Sequence, residues 1–126
     1  MLYEKLGKQP AIEQLVTRFY ERVYVDDLLR PLFPVDRQRV EHAQIVFLTQ
    51  LTGGPKQYEL YDERMNLAMI HRLLPIRRVH AERWIELMTA AIEETIQNQE
   101  AAALLIERLR IGAMNVLRIC DAHQNG

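Results

Sequence analysis

Apolar residues recur along this chain at intervals of three and four, the period of helices buried on one side, and strand-like alternation is nearly absent. Leu2, Tyr3 and Leu6 predict a short first helix that stops at Gly7, where a glycine accepts the left-handed cap. Pro10 suits a first helical position, which has no use for an N–H. Ile12, Leu15, Val16, Phe19, Tyr20 and Val23 then make one apolar stripe of a helix running to about Val25. Asp26 and Asp27 predict caps for a short helical turn over residues 28–32, which Pro31 and Pro34 keep irregular.

Asp36 predicts the start of the next helix, with Val40, Ile45, Val46, Phe47, Leu48 and Leu51 as its apolar positions. Thr52-Gly53-Gly54-Pro55 ends it, because two glycines and a proline cannot continue a helix. Residues 56–64 read as a polar connection, and residues 65–74 as a short, very apolar segment closed by Pro75. A long helix is predicted over residues 77–98 through Val79, Trp84, Ile85, Met88, Ala91, Ile92 and Ile96. The last covers residues 99–122, with Leu104, Leu105, Leu109, Met114, Val116 and Leu117 on its buried side and 122–126 as a frayed tail. The expectation is an all-α fold. Within it, segment 65–74 is too short to be stable alone, so other helices or a bound group must cover it.

Composition narrows the class. With 126 residues, 48% hydrophobic and 26% charged, the chain fits a single domain, 1–126, around one core. A formal charge of −1 offers no field to draw nucleic acid or an anionic membrane, so neither is expected as a partner. Arginine outnumbers lysine thirteen to three, which suits bidentate pairing with carboxylates. The single cysteine, Cys120, excludes an internal disulfide and a multi-cysteine metal site. No secretory leader opens the chain and no apolar run approaches a membrane span, so a cytoplasmic location is expected.

Four histidines can be weighed one by one. His123 falls in the tail and His80 in a polar first turn, both expected to be solvated. His42 points about 200° away from Val40, off the Val40–Gln44–Phe47 face. His71 lies in Met69-Ile70-His71-Arg72-Leu73-Leu74, where a buried imidazole needs a partner. Either it is a core histidine bonded to a carbonyl, or it is the single axial ligand of a haem iron.

Several segments keep a family's order and spacing. Leu15-Val16-Thr17-Arg18-Phe19-Tyr20-Glu21-Arg22-Val23, Leu29-Arg30-Pro31-Leu32-Phe33-Pro34 and Phe47-Leu48-Thr49-Gln50-Leu51-Thr52-Gly53-Gly54-Pro55 are followed by His71, Pro75-Ile76 and Arg83-Trp84. Over residues 2–118 the chain resembles the truncated haemoglobins, and its Trp84 and Gln-x-x-Phe-Leu pattern resemble their second group. The resemblance implies a truncated globin, a two-over-two helical sandwich around haem b. It implies His71 as the iron ligand and Phe33 against the haem face. Tyr20, Gln44 and Trp84 correspond to ligand-stabilising donors, with Val40 and Phe47 also lining the cofactor. Tyr58 corresponds to a tyrosine near a propionate, and Arg72 stands among the arginines able to pair there.

A haem-held diatomic ligand gathers partial negative charge, which phenol, indole and amide donors stabilise. The implied partners are dioxygen, nitric oxide or a similar small ligand, together with a reductase. Two or three such hydrogen bonds would retain a ligand, favouring sensing or redox chemistry, such as nitric oxide dioxygenation or peroxide turnover, over bulk oxygen transport. A monomer or a homodimer is expected. The chain departs from the pattern at Gly7-Lys8, where a glycine pair is broken, at Glu63-Arg64-Met65, and at Ile70, where a basic residue often pairs with a propionate. The departures at Glu63 and Ile70 favour the alternative, a haem-free globin-like domain for helical interaction or regulation.

Overall fold

The computed structural model describes residues 1–33, 35–55 and 76–125, with the side chains of the last helix through Arg118. The helices are α1 (Leu2–Leu6), α2 (Lys8–Val23), α3 (Arg37–Leu51), α4 (Arg78–Thr95) and α5 (Gln99–Asn125), with a 3₁₀ turn at Arg30–Leu32. Among the described residues there is no strand. Helix α2 packs against α3 on one side and α4 on the other, and α4 packs along α5. The pairs α2/α3 and α4/α5 form the two layers of the predicted sandwich.

The stripe on α2 builds the core. Ile12, Leu15, Val16, Phe19 and Val23 are buried against Met88, Ala91 and Ile92 of α4 and Ala101, Leu105 and Leu109 of α5. Each large apolar side chain so buried contributes about 1.5–3 kcal/mol. Ala91 and Ala101 are wholly buried, and their small side chains allow close helix approach. A second cluster, Ile76, Ala81 and Leu117 with Leu32, ties the 3₁₀ turn to the far part of α5.

Helix α1 docks on the end of α3. The Tyr3 N–H donates to the Thr52 carbonyl at 2.9 Å, and the Tyr3 ring lies so near Gly54 that a Cβ there would stand 2.6 Å from it. That contact, as well as helix termination, explains the Gly-Gly-Pro string. Gly7 takes the predicted left-handed cap at φ 112. Lys8, where the glycine pair is broken, also has positive φ, at 64.

Several boundaries differ from the sequence reading. Helix α2 begins at Lys8, so Pro10 is its third residue, still in the turn whose N–H groups lack helical partners. It ends at Val23 rather than Val25, and Val25 is exposed. The predicted turn at 28–32 is the 3₁₀ turn Arg30–Leu32. Helix α4 stops at Thr95 because Ile96 turns extended, and Asn98 caps α5 instead by accepting the Ala101 N–H at 3.0 Å. Leu104, predicted to be buried, is 40% exposed, since Ala101, Leu105 and Leu109 form the inward stripe. Val79 is likewise exposed.

Candidate functional site

Tyr20 and Gln44 meet where α2 crosses α3. Tyr20 is 2% exposed and Gln44 7%, and the phenol O–H donates to Gln44 Oε1 at 3.4 Å. Burial, with smaller contributions from Tyr24 and Glu41, pushes the Tyr20 pKa far above the usual phenol value, so the group stays protonated as a donor. Gln44 Nε2 is buried and has no hydrogen-bond partner among the described residues. Turning the amide over would not cure this: Tyr20 can satisfy only one end, so the other end needs a third group. An unsatisfied buried donor costs about 1–3 kcal/mol, which a ligand acceptor would offset.

Aromatic rings surround this pair. Tyr20 meets Phe33 edge to face at 5.7 Å and Phe19 at 4.8 Å, and Phe19 in turn meets Trp84 at 5.4 Å. Trp84 therefore joins the set through Phe19 rather than through the Gln44 amide. Val40 and Phe47 stand four residues before and three after Gln44, on one face of α3, half-buried against the core. Tyr20, Phe33, Val40, Gln44, Phe47 and Trp84 are thus gathered around the contacts of α2, α3 and α4. A cleft of about 350 Å³ lined by Tyr24, Arg30, Pro31, Phe33 and Val35 shares only Phe33 with them.

His71, Tyr58 and Arg72 lie outside the described residues. His42 is exposed, as predicted. His80 is not simply solvated: half-buried, its Nδ1 accepts the Arg77 N–H at 2.9 Å at the start of α4. Burial moves its pKa downward, with the nearby Arg77 charge adding to this. The sequence reading also missed the reach of Asp26, seen only as a local cap. Arg83 holds it from 57 residues away, and the carboxyl pKa falls below its usual range chiefly through that bond. Neither residue carries a periodic signal that announces the pair.

Two helical layers enclosing a buried phenol–amide pair define a globin-like architecture. The chain matches the family model described as bacterial-like globin over residues 1–117. Group 2 truncated hemoglobin YjbI of Bacillus subtilis is 33% identical over 120 residues, spanning 95% of this chain and 90% of that protein. The solved truncated oxygen-avid haemoglobin of Bacillus subtilis matches with a TM-score of 0.84 and 34% identity, over 92% of this chain and 98% of that one. The hemoglobin of the thermophilic phototrophic bacterium Chloroflexus aurantiacus matches with a TM-score of 0.86 and 31% identity, over 93% and 97% of the two chains. The chain belongs to the bacterial-like globins, as a truncated haemoglobin of the second group.

The family implies a haem cofactor. The described residues fit one: a buried amide N–H lacks an acceptor, a protonated phenol stands beside it, and half-buried apolar side chains flank both. No helix among the described residues is long and apolar enough to cross a membrane.

Proposed function

We propose that this protein binds haem b through His71 and uses Tyr20, Gln44 and Trp84 to retain dioxygen, nitric oxide or a similar small ligand. The observation that carries the reading is the buried Gln44 Nε2, unpartnered among the described residues, beside the protonated Tyr20. Haem bound there would supply a ferrous iron with one open position for a diatomic ligand. The chain's own residues do the rest. The Tyr20 O–H holds the Gln44 amide by its oxygen, leaving the Gln44 N–H to meet negative charge. The phenol can itself turn to a bound ligand, while Phe33, Val40 and Phe47 exclude water and so strengthen those bonds. Tyr58 and Arg72 are proposed to hold the propionates in place of the basic residue lost at Ile70. Donors that together contribute about 3–6 kcal/mol slow release by about 10²- to 10⁴-fold. Such retention suits redox chemistry or sensing in the cytoplasm, with a reductase as partner, more than bulk transport.

The test is a hemin titration of the purified protein followed by absorption. A Soret band that shifts in His71→Ala is expected, and Tyr20→Phe or Gln44→Leu should each speed oxygen release about 5- to 150-fold. No Soret band after hemin addition would sink the reading in favour of a haem-free interaction domain.

A further inference from the structure

Asp26 makes more bonds than a turn cap requires. Its Oδ2 accepts the Leu29 N–H at 3.0 Å, opening the turn that leads to Phe33. Its other oxygen, Oδ1, takes two donors from one guanidinium, Arg83 Nε at 2.8 Å and Nη2 at 2.7 Å. The Asp26 side chain is only 8% exposed, a largely desolvated carboxylate whose counter-ion is the half-exposed Arg83. The remaining arm of that guanidinium, Nη1, holds Glu86 on the same helix at 2.8 Å, which leaves the fork little freedom.

Arg83 immediately precedes Trp84. On a helix each residue is turned by a fixed angle from the last, so a clamp on Arg83 sets the rotation of α4 where Trp84 projects. Asp26 itself follows α2, six positions after Tyr20. One carboxylate therefore joins the helix of Tyr20, the turn of Phe33 and the helix of Trp84. A second link between α2 and α4 lies three turns along α4, about 16 Å away at 1.5 Å per residue, where Arg18 and Arg22 pair with Glu94. Its carboxylate is far more exposed, Glu94 at 42% against 8% for Asp26, and it has no bond to the candidate site among the described residues.

We propose that Asp26 and Arg83 are the positioning residues of the site: their ion pair sets Trp84 against Phe19, the ring that packs on Tyr20, and thereby sets the rate of ligand release. The release-rate part rests on the functional reading above; the positioning of Trp84 does not. Trp84 is the single tryptophan of the chain, so its indole N–H gives one unambiguous nuclear magnetic resonance signal, with or without hemin.

The experiment compares Arg83→Met, Asp26→Asn, the double variant and Arg83→Lys with Glu94→Gln, which cuts the other link between the same helices. Asparagine keeps an oxygen for the Leu29 N–H, so Asp26→Asn removes the pair without the cap. Arg83→Met and Asp26→Asn should each shift the indole signal and speed oxygen release from the carbon monoxide-competent holoprotein about tenfold. The double variant should go no further than either single one, since both remove the same interaction. Arg83→Lys should restore part of the effect, and it keeps the test open if Arg83→Met does not fold. Glu94→Gln should leave both readouts unchanged. An unmoved indole signal in Asp26→Asn, or an equal shift in Glu94→Gln, overturns the positioning role. Failure of the wild-type chain to take up hemin overturns the functional reading instead, and the two failures are read on separate signals.

Discussion

Lys8 holds a backbone conformation that costs a side-chain-bearing residue about 1–2 kcal/mol, since its φ is 64. Glycine there would escape the clash while losing about 0.5–1 kcal/mol of extra chain entropy. Lys8→Gly should therefore raise stability by about 0.5–1 kcal/mol, read as an increase of a few degrees in the thermal midpoint. Gly7→Ala should act in the opposite direction, because its Cβ would meet that of Ala11 at 2.9 Å. The broken glycine pair was visible in the sequence, but its consequence required the dihedral. Tyr20 and Gln44 were legible through the family resemblance, which named both as donors, but their bond to each other required the crossing of α2 and α3. Asp26 was legible only by half. Its capping oxygen follows from local sequence, whereas its counter-ion comes from a residue 57 positions away, and no spacing rule reaches that far.

Helices were legible wherever burial is one-sided. The stripe of α2 appears almost residue for residue in the core. Their ends were less so, because termini are decided by single side chains. Asn98 read as the last residue of one helix and instead caps the next, a choice between two roles that periodicity does not separate. His80 shows the same limit at the start of α4, where it accepts the Arg77 N–H through Nδ1. Its pKa is lowered in the folded protein, so on acidification the unfolded chain takes up the proton first. The stability it supports is present above about pH 6.5 and is lost as the pH falls below that value. Resistance of the wild type to urea should weaken from pH 7 to pH 5. His80→Gln, which keeps an acceptor and cannot titrate, should flatten that slope. Asp26 does not confuse the test: its pKa is lowered, so its contribution is fully present between pH 7 and pH 5 and is lost only under more acidic conditions.

For the molecule as a whole, two layers follow from the amphipathic lengths of four helices, and the all-α sandwich was legible on that basis. What the pattern could not reveal is how the layers are fixed to each other. Helix α4 is held to α2 at two places of unequal character, one desolvated at Asp26 and one open to solvent at Glu94. Dissolved ions distinguish them. Screening shortens the reach of exposed charges from about 10 Å at 0.1 M to about 3 Å at 1 M salt and leaves buried pairs largely untouched. Raising sodium chloride should therefore quicken amide hydrogen exchange around Glu94 more than exchange near Arg83, where the carboxylate is buried although the guanidinium is 37% exposed. The end of α4 beside the candidate site would thus feel the ionic strength of its surroundings less than the far end of the same helix does.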